Sequence, residues 1–323
     1  LLLSGPSYVA YRTRIDLLGE SADSTGVLEA KAALAADPQV CGLIEATADW
    51  FSVNSKRHDD AKMSHYRLRT LADFGFDLRD KRIAAIVDTA LEHTENGLPA
   101  IRQALPERGS NPKLDEHSDE WHALPCDATI QAATLYRLGS RDEQLLTGIM
   151  NILHRWTQPG GWFCHLFFVE SQFRREGIPC MMAALHVLEL VSELPEEFSA
   201  GAFVAFDREA VVRTAFGALE AHRGLGKSLY YFGRGRKFHT LKYPYVWYNA
   251  LYMLEVLSRF PELRDKPLVT DLVHWLEGCR DEDGRFTPTS MFMPYRGWDF
   301  ADKKNPSSWI TFLAHRIFRR ISE

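Results

Sequence analysis

Six apolar, helix-like segments recur along the chain, and each opens just after a proline or a short polar break. They start at Pro6 (PSYVAYRTRIDLLG), His58-Asp59-Asp60 (HDDAKMSHYRLRTLADFG), Pro125 (PCDATIQAATLYRLG), Pro179 (PCMMAALHVLELVSELP), Pro244 (PYVWYNALYMLEVLSRFP) and Pro306 (PSSWITFLAHRIFRR). Proline suits a first helical turn because its missing N–H would have no partner there. In the fifth segment Tyr245, Val246, Trp247, Ala250, Leu251, Met253, Leu254, Val256 and Leu257 leave little polar face, which predicts a helix buried on most sides. Between these segments run amphipathic ones, predicted as outer helices near 28–48, 79–95, 141–157, 207–222 and 265–279. In the last of them Leu268, Val269, Leu272, Val273 and Leu276 form one stripe, leaving Asp265, Asp271 and Glu277 for solvent. No sixth outer helix follows the last inner one.

The inner segments recur roughly every sixty residues, the length of a helical hairpin that cannot bury its apolar face alone and must stack on its neighbours. Six such hairpins suffice to close a ring around a central cavity. The expectation is an all-α (α/α)6 toroid filling 1–323 as a single domain, since no Ser/Pro-rich linker or charge run interrupts it. Strand signal is nearly absent outside short pieces such as 228–232.

With 46% hydrophobic and 12% aromatic residues there is ample material for a large core. A net charge of −5 with no basic face argues against a nucleic-acid partner. The short run 233–237 (GRGRK) marks an exposed loop or an anion site. Five cysteines, an odd number in a long chain, fit a reducing, cytoplasmic setting better than a disulfide framework. No stretch approaches the roughly twenty uninterrupted apolar residues that span a bilayer. Peripheral membrane contact remains open, as does the choice between monomer and homodimer. The opening Leu1-Leu2-Leu3-Ser4-Gly5 lacks a basic region and is too short for a signal peptide, unless it is a trimmed terminus.

The third unit ends in Gln158-Pro159-Gly160-Gly161-Trp162-Phe163, after an amphipathic segment. A Gln followed shortly by Gly-Gly-Trp resembles the repeat signature of the terpenoid cyclase and protein prenyltransferase superfamily. The stretch 275–286 (WLEGCRDEDGRF) looks like a degenerate copy, and Glu95-Asn96-Gly97-Leu98 like a fainter one. Gln can bond helix-end backbone, glycine makes the turn, and the aromatic packs between adjacent hairpins. The resemblance implies an (α/α) toroid closer to the single-ring prenyltransferase-like proteins than to the two-domain squalene-type cyclases.

In such a ring the N-terminal ends of the inner helices face the cavity mouth, where their dipoles favour anions. The resemblance directs attention first to His58, Asp59 and Asp60, because proton-initiated cyclases carry a D-x-D-D motif at an inner-helix start. Here only the last two acidic positions are present, followed by Ala61. Asp59 or Asp60 would be the acid, backed by His58; the plain alternative is a helix N-cap. A second group is Cys126 and Asp127 at the third inner start, Cys180 at the fourth, and Cys164-His165 after the Gly-Gly-Trp turn. Cys126, Cys180, Cys164 and His165 would converge on one zinc ion, as the Asp/Cys/His and Cys/Cys/His sites of related toroids do, although neither family's spacing is reproduced. Without zinc, Cys126 is a nucleophile or the cysteines are small core residues.

Arg236, Lys237, His239, Lys242 and Tyr245 lead into the fifth inner segment, where they would grip a diphosphate or carboxylate or form a solvated loop. Trp298 and its acid–base neighbours precede the sixth. Tyr66, Trp247, Tyr248 and Trp309 sit on inner segments, where aromatic rings either line the substrate and stabilise carbocations or simply fill the core. The stretch 165–177 would lid the cavity, with Glu170 and Arg174 at its edge. The leading functional expectation is an enzyme acting on a small hydrophobic, isoprenoid-type substrate by proton-initiated cyclisation, isomerisation or transfer. No D-D-x-x-D run supports magnesium-dependent ionisation of a diphosphate. The alternatives are a carbohydrate-active (α/α)6 lyase or glycoside hydrolase, and a non-catalytic toroid that binds lipid or peptide.

Overall fold

A computed structural model describes residues 2–51, 60–102, 121–154, 161–162, 177, 179–200, 206–224 and 235–323, and it is mostly helical with little sheet. The helices are α1 (Ser7–Arg12, continued by a π-helical turn Thr13–Leu17), α2 (Thr25–Ala36), α3 (Pro38–Ala48), α4 (Ser64–Phe74), α5 (Lys81–Ala90), α6 (Pro125–Leu138) and α7 (Glu143–His154). They continue with α8 (Met181–Glu193), α9 (Arg208–Gly224), α10 (Ala250–Leu257), α11 (Pro267–Glu277) and α12 (Ser308–Ser322). The apolar segments of the sequence carry α1, α4, α6, α8, α10 and α12, and the amphipathic ones carry α2 with α3, α5, α7, α9 and α11. Every described residue of α10, and every residue of α6 except Arg137, is buried, as their lack of a polar face requires.

Three local expectations are corrected. The outer segment 28–48 is two helices, because Pro38 cannot continue α2 and Asp37 starts a new one: its Oδ1 accepts from the Gln39 and Val40 amides. The helix of the fifth apolar segment begins at Ala250 rather than after Pro244, because Asn249 is the N-cap; its Oδ1 accepts from the Tyr252 amide at 2.9 Å. Tyr245, Trp247 and Tyr248 therefore lie on the non-helical run into α10. Short strands also exist: β1 (Thr94–Glu95) pairs with β2 (Leu98–Pro99), and β3 (Ile101–Arg102) with β4 (Trp121–His122), both antiparallel. The piece 228–232 lies outside the described residues.

The chain divides into two compact units. The first comprises Leu1–Ala46, Tyr66–Phe76 and Lys227–Glu323; the second comprises Thr47–His65 and Asp77–Gly226. In the first, α1 packs on α2 and α12, and α10 on α11 and α12. Its aromatic centre joins Tyr8, Phe74, Tyr243, Trp298, Phe300 and Trp309, with Tyr8 stacked on Phe74 at 4.2 Å. In the second, α8 is the hub, packed along α6 on one side and α9 on the other.

The repeat turns share a function in the fold. After α7, Trp162 is buried, its indole N–H reaches the Ile152 carbonyl at 3.3 Å, and its own carbonyl accepts from Cys180, the N-cap of α8. After α11, Phe286 is buried and its carbonyl accepts from Ser307, the N-cap of α12, at 2.9 Å. Both turns thus clip the start of the next apolar helix through the carbonyl of the aromatic that follows the glycine. The faintest copy does this with a side chain: Glu95 Oε2 accepts from the Ala123 amide, just ahead of α6.

That copy makes a β1–β2 turn in which Asn96 (φ 53°) and Gly97 (φ 78°) are both left-handed. A Cβ on Gly97 would run into the Gln144 carbonyl of α7. Gly97→Ala is therefore expected to lower stability by about 2–3 kcal/mol, from backbone strain and overlap together. Denaturant unfolding checks this; a loss below about 0.5 kcal/mol would mean the hairpin shifts off α7 without penalty.

Candidate functional site

The Cys/Asp group of the sequence is the one the fold assembles most fully. Pro125 takes the first position of α6, which places Cys126 and Asp127 in its first turn, and Cys180 caps α8 beside it. Asp127 is only 1% exposed. Gln131, one turn on, donates to the Asp127 carbonyl at 3.3 Å and to the Pro99 carbonyl at 3.4 Å, which fixes this end of α6 against the β1–β2 hairpin.

Two histidines that the sequence did not single out hold the same end. His186 of α8 places Nδ1 2.7 Å from the Cys126 carbonyl, and His222 of α9 places Nε2 2.6 Å from the Pro179 carbonyl. A carbonyl only accepts, so those nitrogens carry the hydrogens and donate. Burial lowers the pKa of His222, which keeps its ring neutral at pH 7. Their signal was a histidine set in an otherwise apolar or amphipathic helix.

The thiol of Cys126 is pushed well up, first by burial and then by the nearby Asp127 and Cys180. It is a neutral thiol at physiological pH, so the ground state offers no free thiolate nucleophile. The arrangement supplies a buried carboxyl and two thiols at the starts of α6 and α8. For the expected zinc site it supplies Cys126 and Cys180; Cys164 and His165 lie outside the described residues. Among the described residues no group of three or more His, Cys, Asp or Glu is placed to hold a metal ion.

Of the other expected site residues, Asp60 is half-buried and works as a turn: its Oδ1 accepts from the Lys62 amide at 2.9 Å just before α4. His58 and Asp59 lie outside the described residues, as does the 165–176 part of the suggested lid, Glu170 and Arg174 with it. Lys237 and His239 are exposed, and His239 faces the Trp275 ring at 5.6 Å; the side chain of Arg236 lies outside the described residues. Trp247 is half-buried against Tyr248. Trp309 and Trp298 belong to the aromatic centre of the first unit.

Tyr66 is buried on α4, and Tyr245 belongs to a polar interior in that unit. Arg69 of α4 donates to the Tyr245 carbonyl and lies over the Tyr252 ring at 4.4 Å, while Asp73 accepts from the Tyr243 hydroxyl at 2.9 Å. Glu255 of α10 meets Arg259, Arg316 and Arg320, and Arg316 also pairs with Asp16 at 2.8 Å. Burial alone would raise the Glu255 pKa, but the three guanidiniums outweigh it and hold the carboxyl well below its usual range. These charges sit inside helices that otherwise read as apolar, and that contrast was the signal for them.

No protein-family model, curated protein or solved structure matches the chain.

Proposed function

We propose that the chain is an (α/α) helical toroid of the terpenoid cyclase and prenyltransferase kind, which holds a hydrophobic, isoprenoid-type molecule and acts on it at the Cys126–Asp127–Cys180 end of α6 and α8. The observation that carries this reading is the burial of Asp127 beside Cys126, with the sequence-distant Cys180 brought to the same place at the starts of α6 and α8. A ring enzyme of this kind concentrates its chemistry at those ends. The ring itself is supported by the alternation of apolar and amphipathic helices, by the packing of the first inner helix on the last, and by the clips formed at the repeat turns.

Asp127 takes the role of proton donor and acceptor. Asp60 serves that role less well, because it is half-exposed and committed to a turn. A carboxyl removed from water beside the neutral Cys126 thiol exchanges a proton with an alkene or allylic carbon without competition from solvent. Cys126 and Cys180 shape the apolar wall around it as small, polarisable groups.

The test is product analysis by gas chromatography and mass spectrometry after incubation with squalene and with farnesyl diphosphate. Turnover is expected, and Asp127→Asn is expected to slow it about 10²–10⁴-fold with an unchanged far-UV circular dichroism spectrum. An equally active Asp127→Asn moves the chemistry elsewhere. Isoprenoid recovered from the purified chain without turnover leaves a binding toroid. Neither turnover nor retained isoprenoid, together with tight oligosaccharide binding, transfers the reading to carbohydrate chemistry.

A further inference from the structure

One polar arrangement inside the first unit is not completed by its own hydrogen bonds. All three guanidiniums around Glu255 converge on one oxygen: Oε1 accepts from Arg316 at 2.7 Å, Arg320 at 2.9 Å and Arg259 at 3.3 Å. The other oxygen, Oε2, the hydroxyl of Tyr245 and the Nε of Arg316 are all buried without a hydrogen-bond partner among the described residues. Glu255 is 1% exposed, Tyr245 3% and Arg316 7%. Buried polar atoms left in this way are rare in folded proteins, and each calls for an explanation.

The three atoms belong to one neighbourhood. The Tyr245 ring stacks on Tyr252 with centroids 4.8 Å apart, and Tyr252 and Glu255 are three positions apart on α10, hence neighbours on one face. Arg316 reaches the same carboxylate from α12. Glu255 and Arg316 are also the charges that act most strongly on the Tyr245 phenol, which burial and the Glu255 carboxylate keep protonated.

The donor inventory decides what fits. An ionised carboxylate oxygen only accepts, a guanidinium Nε–H only donates, and a protonated phenol has a hydrogen to give. Completing all three takes a group that accepts two hydrogen bonds and donates one. A carboxylate has nothing to donate to Glu255, and both it and a phosphate bring negative charge against that carboxylate. An ammonium has no lone pair for Tyr245 or Arg316. A hydroxyl oxygen, with two lone pairs and one hydrogen, satisfies each atom in turn. We propose that Tyr245, Glu255 and Arg316 form a site for a single hydroxyl oxygen, carried either by a buried water or by an alcohol ligand. The site is independent of the reaction proposed for Asp127, which lies in the other unit.

Crystals of the full chain grown without alcohols, at a resolution that resolves ordered water, test the site directly. The expected result is an oxygen peak within hydrogen-bond distance of Tyr245 Oη, Glu255 Oε2 and Arg316 Nε, lost or weakened in Tyr245→Phe. A soak in geraniol separates the two sources. Density continuing into a carbon chain, with a geraniol-induced rise in melting temperature that Tyr245→Phe abolishes and limonene does not reproduce, identifies an alcohol site. An isolated peak unchanged by geraniol identifies water. The inference is overturned if Tyr245 Oη bonds Glu255 Oε2 directly with no oxygen between them, or if the peak touches fewer than two of the three atoms.

Discussion

Replacing Arg316 by methionine is expected to cost about 3–5 kcal/mol of stability, because it leaves the Glu255 carboxylate and Asp16 without their shared partner inside the first unit. Methionine keeps much of the length and apolar stem, so the loss reports charge rather than a cavity. Glu255→Gln alone removes the anion that Arg316, Arg320 and Arg259 share and is expected to be nearly as damaging. The double variant is expected to recover part of the loss, since a buried pair removed as a whole often costs little. The pH dependence follows from the same charges. The folded pKa of Glu255 is depressed below its ordinary 4.5, so the network's contribution is fully present above that value and drains away as pH falls toward the folded pKa. In Arg316→Met the largest of the stabilising charges is gone, the folded pKa rises, and acid unfolding moves to higher pH. Urea unfolding at pH 7 and an acid titration of both variants check this. A loss under about 1 kcal/mol for Arg316→Met would show that solvent reaches the carboxylate in place of the guanidinium.

Reading these charges from sequence was possible only in part. The alternation of apolar and amphipathic segments located nearly every helix, because periodicity is a property of the local chain. It misplaced the start of α10, where the apolar run 245–248 reads as helix but Asn249 caps the turn behind it. It also joined α2 to α3 across Asp37-Pro38, two residues that stop one helix and open the next. Cys126, Asp127 and Cys180 were legible as a group because all three sit at helix starts that proline announces. Their partners His186 and His222 were not, since each acts through a backbone carbonyl at or just before the start of another helix and leaves no motif. The same holds for Arg69, Asp73, Glu255 and Arg316. A charge in an apolar helix says that a partner exists, while which partner depends on how helices far apart in sequence pack.

The repeat turns were the most legible feature and support the second large prediction. Trp162→Ala is expected to destabilise the chain by about 3–5 kcal/mol, the usual range for a fully buried tryptophan. Trp162→Phe keeps most of the packing and loses only the indole bond to the Ile152 carbonyl, near the end of α7, so it is expected to cost about 1 kcal/mol beyond the reduced volume. Phe286→Ala opens the equivalent turn against Phe318 and His315 and is expected to cost about 3–5 kcal/mol as well. Amide hydrogen exchange separates the two. Because the Trp162 carbonyl holds Cys180 and the Phe286 carbonyl holds Ser307, Trp162→Ala should release the first amides of α8 and leave α12 protected, and Phe286→Ala should do the reverse. Repeat proteins transmit damage chiefly between neighbours, so local release is what two separate clips predict. Equal loss of protection at α8 and α12 in both variants would instead make each turn a determinant of the whole chain's stability, and the likeness of the two copies would then be one of sequence alone.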